Sequence, residues 1–598
     1  MTPAVDGGRY PVKRIIGERC VVEADAFRDG HQIIRVALKY RRKSDESFSE
    51  APMMALDNDR WRGEFVPTEN TRYIYTVEAW TDPFASWLAD FRKKVLAGRD
   101  VRSDLLEGEA LIERMVRRAY GDDRDLLSQC LDQLASHKDG FSQALEIVSR
   151  PPIVEAAERA GERHGLTRYQ PFLEMVVDRP KARFSTWYEM FPRSQGNDPS
   201  RPATFREAER RLPMINDMGF DVLYLPPIHP IGITNRKGPN NSLVVTPDSP
   251  GSPWAIGNGA GGHDAIDPAL GTLSDFEHFV ATAANLGIET AIDFAVQCSP
   301  DHPWVKQHPD WFSHRPDGSI KYAENPPKEY QDIYPIDFDT RDQHGLMREL
   351  LRVVMFWIDH GVRIFRVDNP HTKPVAFWEW LIGEVQALHP EVIFLAEAFT
   401  RPKMMKVLAK AGFTQSYTYF TWRNTKWELT EYLTELTQSP MREYYRPNFF
   451  TNTPDILPPI LQVGGPPAFK MRLVLAATLS SSYGIYSGFE LCENEAVPGT
   501  EEYRNSEKYE IKPRDWHRPG NIREFIARVN AIRRENPALQ DFVNLRFLDT
   551  DNDQILLYAK ATPAKDNVIL VAVNLDPFHS NYCTAFVPPD AVAVAPGQ

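Results

Sequence analysis

The sequence predicts a multidomain α/β protein built on a (β/α)8 TIM barrel, with an N-terminal β-sandwich, a helical insert and a C-terminal β-sandwich-like domain. Three observations predict it. At 598 residues the chain is too long for one ordinary core. Its middle holds eight short apolar stretches separated by longer segments of helical spacing, the pattern of parallel strands joined by crossover helices. On both flanks the spacing of apolar residues changes character.

Residues 1–83 alternate apolar and polar in "IIRVALKY", "RWRGEFVP" and "RYIYTVEAW", with polar turns between, as a small sandwich does. Over residues 84–170, "LIERMVRRAY" and "DLLSQCLDQLASH" repeat apolar positions at helical spacing and give the insert, whose basic face reads as a solvated surface. The barrel occupies 171–520. Its strands are "STWYEMF", "DVLYLPP", "IETAIDF", "VRIFRVD", "VIFLAEA", "FTQSYTYF", "RPNFFTN" and "YGIYSGF". Residues 521–598 hold the helix "IREFIARVNAIRRENPAL" and the strands "NLRFLDT", "QILLYAKA" and "NVILVAVNL". No repeat of solenoid length is present.

A net charge of -13 and a pI near 5.7 argue against a nucleic-acid partner held by bulk electrostatics. The opening "MTPAVDGGRYPVKRIIGERC" lacks the apolar centre of a signal peptide, and no apolar run reaches transmembrane length. The five cysteines are far apart and form no CxxC pair, so they read as reduced thiols in a cytoplasm, with no metal or organic cofactor expected.

Barrel chemistry sits at the C-terminal ends of the strands. Asp368 ends the fourth strand, Glu397 ends the fifth, and Asp455 follows the seventh in "FFTNTPDILP". Each alone reads as an ion-pair or capping residue; together on one rim they read as catalytic. Two carboxylates can flank a sugar as nucleophile and acid/base, and an oxocarbenium-like transition state rewards a further negative charge. Arg366, two residues before Asp368, would keep that aspartate ionised.

On the strand ends, Asp293, Arg366, Asp368, Glu397 and Asp455 resemble the ordered motifs of the α-amylase superfamily. The resemblance implies a retaining enzyme with Asp368 as nucleophile, Glu397 as general acid/base and Asp455 as transition-state stabiliser. Three departures from ordinary amylases, Gln297-Cys298, Thr372 and Pro454-Asp455, remove residues of the amylase calcium and acceptor sites. "STWYEMFPRS", "ITNRKGPNNS", "KYAENPPKEYQDIYPIDF", "FRVDNPHTKP", "NTPDIL" and "EEYRNSEKYEIKPRDW" resemble a narrower branch, the α-1,4-glucan:maltose-1-phosphate maltosyltransferases, over most of the chain. The end, "NYCTAFVPPDAVAVAPGQ", stops earlier than that family's last domain usually does.

Asn325, Lys328 and Tyr330 in "NPPKEY", with Asn369 after the nucleophile, offer one charge and several directional donors, the set a phosphate leaving group needs. From the residues alone a solvated surface loop with a turn is the favoured reading; the resemblance implies the phosphate role. It also implies donor-sugar contacts for Lys237, Asn241 and Gln297, and substrate contacts for Lys508 and Tyr509. His263 and Asp264 in "GGHDAIDPALGT" read either as site-wall residues or as loop and capping residues. The expected reaction is transfer of maltosyl from α-maltose 1-phosphate to the non-reducing end of an α-1,4-glucan or maltooligosaccharide, with release of phosphate, by a homodimer. Two alternatives are an α-amylase-type hydrolase and a non-catalytic glycogen-binding barrel.

Overall fold

The structure, a computed structural model, describes residues 1–136, 140–246, 248–325 and 328–591, the side chains of 325 and 328 excepted. It divides into two compact units, Met1–Val177 and Asp178–Gln598.

The first unit is a sandwich of two sheets. One sheet runs in the order Val12–Ile15, Leu173–Asp178, Arg72–Thr81, Ile34–Arg42, Ser49–Pro52, with His164–Arg168 also paired to Arg72–Thr81; the other holds Cys20–Asp25, Arg60–Phe65 and Met54–Ala55. Helices interrupt the first sheet. The helix Pro83–Leu96 starts where Asp82 accepts a hydrogen bond from the Ala85 amide at 2.9 Å and Pro83 presets the first turn. Four more helices, Arg102–Val116, Gly121–Ala135, Phe141–Val148 and Pro151–Ala160, close over Phe84, Trp87, Leu105, Ile112, Leu127 and Ile153. Gly108 lets two of them meet, since a Cβ there would stand 2.0 Å from the Trp87 ring. After this excursion the chain does not go directly to the barrel, as a boundary at residue 171 supposes, but returns to the sandwich through His164–Arg168 and Leu173–Asp178.

The second unit holds the barrel. Its strands are β1 (Ser185–Glu189), β2 (Val222–Leu225), β3 (Glu289–Phe294), β4 (Ile364–Asp368), β5 (Ile393–Glu397), β6 (Gln415–Ser416), β7 (Asn448–Phe450) and β8 (Ser482–Tyr486). All are parallel, β8 pairs with both β1 and β7, and a bridge between Ser416 and Pro447 closes the ring. Each coincides with one of the eight stretches expected from the sequence. Because side chains alternate along a strand, every second residue points inward. Trp187, Val222, Tyr224, Ala291, Ile364, Ile393, Leu395, Tyr417 and Phe450 accordingly pack as one apolar plug. Glu189, Asp293, Arg366, Asp368 and Glu397 share that parity and lie toward the C-terminal ends, above the plug. Beyond the barrel, the helix Arg523–Glu535 leads to an antiparallel sheet of Leu545–Leu548, Ile555–Ala561 and Val568–Asn574.

Candidate active site

The β4–β5 ladder sets Asp368 directly opposite Glu397, and the β3–β4 ladder sets Asp293 opposite Arg366. Arg366 is buried and works three ways: Nη1 donates to Asp293 Oδ2 and to Asp368 Oδ1, both at 2.8 Å, while Nη2 faces Glu397 Oε1 at 3.4 Å. Tyr224 donates its hydroxyl to Asp293 at 2.5 Å, and its ring lies 5.5 Å beneath the guanidinium. Burial opposes it, but Tyr224 and then the neighbouring carboxylates raise the Arg366 pKa well above its ordinary value. Arg366 is therefore a permanent cation fixing the nucleophile's geometry.

Just past Asp368 the backbone of Asn369 turns into the left-handed region at φ 42°, which asparagine tolerates better than most residues. That bend points its amide at Glu397 Oε2, 3.2 Å away, and its side-chain nitrogen at Asp368 Oδ2, 3.4 Å away. Burial, then the charge of Asp368, lifts the Glu397 carboxyl to about 7, in the range of a group that both gives and takes a proton near neutrality. Asp455, exposed in the cleft, accepts from Lys508 Nζ at 2.9 Å, and Lys508 also rests 4.9 Å from the Trp254 ring.

A cleft of about 690 Å³ brings together Asp368, Glu397, Asp455, Asn241, Gln297, Tyr330, Asn369, Lys508 and Tyr509. Other expected residues lie elsewhere. Lys237 is buried behind the wall, where its ammonium bonds the Gln331 side chain and the Glu329 carbonyl. His263 and Asp264 are not wall residues. His263 is buried, hydrogen-bonded to the Ala295 carbonyl at 2.8 Å and stacked on Trp304 at 4.9 Å, contacts that hold its ring out of the cleft lining. Asp264 is held by Arg352 at 2.7 Å. The Asn325 and Lys328 side chains lie outside the described residues; their backbones form the hairpin Ala323–Asn325 and Lys328–Tyr330.

Several residues of the site escape the motif reading, Asp332 and His371 among them, and two bear on its charge. Glu189 ends β1, is 1% exposed, and its Oε2 has no hydrogen-bond partner among the described residues. Burial raises its pKa well above the ordinary value, and Arg366 only partly offsets this. Counting by twos from Trp187 along "STWYEMF" would have found it facing inward. Lys373 lines the cleft and sits in the already conspicuous "FRVDNPHTKP".

One group offers metal-type donors: His263, Cys298 and His302 lie within 4.8 Å of one another, all buried. Hydrogen bonds already account for the four ring nitrogens. The Trp304 amide donates to His302 Nδ1 at 3.0 Å, which leaves His302 Nε2–H to donate to His263 Nδ1 at 3.1 Å and His263 Nε2–H to donate to Ala295. Burial lowers the His263 pKa to about 4, consistent with that neutral chain. The donor set fits a hydrogen-bonded wedge.

Residues 1–179 match the family model "Alpha-1,4-glucan:maltose-1-phosphate maltosyltransferase, domain N/S", and residues 547–598 match "GLGE, C-terminal". Among similar proteins, an alpha-1,4-glucan:maltose-1-phosphate maltosyltransferase of Myxococcus xanthus is 52% identical, covering 100% of this chain and 91% of that protein. One of Rhodospirillum rubrum is 53% identical, covering 100% of this chain and 88% of that protein. Among solved structures, a maltogenic α-amylase of Thermotoga neapolitana superposes with a TM-score of 0.52 at 20% identity, over 66% of this chain and 86% of its own. The α-glucosyl transfer enzyme XgtA does so with 0.53 at 18%, over 66% and 91%. These structural neighbours share the fold.

Proposed function

The chain belongs to the α-1,4-glucan:maltose-1-phosphate maltosyltransferase family, and from that premise we propose that it moves a maltosyl group from α-maltose 1-phosphate to the non-reducing end of an α-1,4-glucan by double displacement. The observation that carries the mechanism is the registered pair Asp368 and Glu397 beside the buried Arg366. Adjacent strands lie about 4.8 Å apart, which suits the roughly 5 Å separation of the two carboxyls in retaining enzymes.

In the first step an Asp368 oxygen attacks the anomeric carbon, the bond from that carbon to the phosphate oxygen breaks, and a β-maltosyl ester forms as phosphate departs. Arg366 keeps the attacking carboxylate fixed while positive character grows at the sugar, and Asp455 adds negative charge on the open side of the cleft. Glu397, part-protonated near neutrality, can donate to the leaving oxygen. In the second step ionised Glu397 takes the proton from an acceptor 4-hydroxyl. That oxygen bonds to the anomeric carbon, the ester bond breaks, and Asp368 is regenerated. Asn369 and Tyr330, with Asn325 and Lys328, are the residues we assign to the phosphate; Asn241, Gln297, Lys508 and Tyr509 are those we assign to the sugar. Family resemblance also supports a homodimer, which sedimentation would test, and five cysteines without a CxxC pair fit a reducing cytoplasm.

Incubation with α-maltose 1-phosphate and maltohexaose tests the reading. Phosphate release matched by products two glucose units longer is expected. Phosphate and free maltose without lengthening would instead make the protein a hydrolase, and no phosphate release would overturn the donor.

A further inference from the structure

Among the described cations at the cleft and behind its wall, Lys373 alone has neither a carboxylate partner nor a short hydrogen bond. Lys508 holds Asp455, Lys237 is spent on Gln331 and the Glu329 carbonyl, and Arg366 is divided among three carboxylates. Lys373 follows the short turn Pro370–Thr372, is half-buried in the cleft wall, and stands beside Asn369 and Glu397. Its ammonium makes one long hydrogen bond, to the Asn369 carbonyl at 3.5 Å, and no ion pair among the described residues. Withdrawing an ammonium from water without a counter-charge is unfavourable, so such groups are normally paired. Burial lowers the Lys373 pKa, and the charges of Asp368, Glu397 and Asp293 oppose that shift without reaching it as partners. An anion entering the cleft would supply the missing partner.

We propose that Lys373 is a phosphate-binding residue of the donor site, holding the phosphate from the part of the cleft wall beside Asn369. The inference rests on the phosphorylated donor assigned above. A lysine acts on phosphate as a point charge. Placed beside Asn369, immediately after the nucleophile, that charge stabilises the dianion as its bond to the anomeric carbon breaks, so the leaving group needs little protonation. Lys373 also explains how a cleft lined by Asp368, Glu397, Asp455 and further carboxylates admits an anionic substrate.

Calorimetric titration with inorganic phosphate, and separately with maltose, tests this on the whole protein in three variants. Lys373→Met removes charge and donor, Lys373→Gln keeps a donor able to reach the Asn369 carbonyl, and Lys373→Arg keeps the charge. Loss of a charge-assisted hydrogen bond weakens binding by about tenfold or more, so that drop is expected for phosphate in the Met and Gln variants. Maltose affinity should stay within about twofold and the Arg variant should retain most phosphate affinity. The KM for α-maltose 1-phosphate should rise in parallel. Unchanged phosphate binding in Lys373→Met overturns the proposal. So does full retention in Lys373→Gln, which would make the lysine a turn-closing residue, or equal loss of phosphate and maltose, which would mean a collapsed cleft. Wild-type protein that binds phosphate yet releases none from α-maltose 1-phosphate would refute the donor itself, an outcome separate from any variant's.

Discussion

Arg211 and Arg366 are both buried guanidiniums in the second unit, but the charges around them balance in one case and not in the other. Arg211 pairs with Glu490 at 2.6 Å, one charge to one, with the Tyr188 hydroxyl completing the contact at 2.5 Å. Nearby, Arg514 holds Glu507 at 2.9 Å and Glu493 at 3.0 Å, and Lys512 brings a second cation to Glu493 at 3.1 Å. Around Arg366 one guanidinium is shared among Asp293, Asp368 and Glu397, with Glu189 within its field and Lys373 at longer range. Matched charges make an inert brace. The surplus of carboxylates is unfavourable at rest, adds to the burial that raises the Glu397 pKa, and becomes favourable when the sugar turns cationic in the transition state. Lys373, without an ion pair among the described residues, stands on the edge of that surplus.

The largest effect should come from Asp368→Asn, which keeps shape and removes the nucleophile; activity should fall by about 10⁴-fold or more with the unfolding midpoint retained. Normal turnover would put the nucleophile elsewhere. Glu397→Ala should separate the two half-reactions. Phosphate is a stable leaving group, so attack by Asp368 survives, whereas an acceptor hydroxyl needs the base, and turnover should drop by about 10²- to 10⁴-fold. One phosphate per active site in a burst, with a maltosyl adduct on Asp368 by mass spectrometry, is the expected record; neither burst nor adduct would tie Glu397 to the first step as well. In the wild type the sign follows from the Glu397 pKa of about 7: the base form is lost as pH falls through that value. The acceptor kcat/KM should decline there more steeply than that for the donor.

The balanced cluster should respond in the opposite currency, stability. Arg211→Met leaves Glu490 buried without its cation and should lower unfolding free energy by about 3–5 kcal/mol in denaturant titration, with kcat of the folded fraction kept. Loss of kcat at unchanged stability would make Arg211 part of the site. Glu189→Gln should change least. An un-ionised Glu189 is matched in size and charge by the amide, so kcat/KM should move by less than about threefold and its pH profile should stay in place. A displaced acidic limb would show that Glu189 carries charge beneath Arg366.

All eight barrel strands were legible because each is a short apolar run, and the strand-end position of Asp368 and Glu397 followed from counting along "VRIFRVD" and "VIFLAEA". The excursion of the helices out of the sandwich was not. Leu173–Asp178 reads in isolation as any short strand, and only its pairing with Val12–Ile15 and Arg72–Thr81 assigns it to the first unit. Among the site residues, Tyr330, Lys508 and Tyr509 came from long motifs, while His263 and Asp264 were ambiguous because a polar residue in a loop carries no mark of which way the loop folds.

What the sequence determined by itself is therefore the periodic part: which segments are strands, which face of each is inward, and which carboxylates end them. Those follow from local alternation, which is written in neighbouring residues. Tertiary structure decided the pairings: that one arginine spans Asp293, Asp368 and Glu397, that Lys237 turns away to Gln331, and that Lys373 has no ion pair among the described residues. The physical reason is that electrostatics depends on distance and on exclusion of water between residues far apart in the chain. Neither quantity exists until the barrel closes.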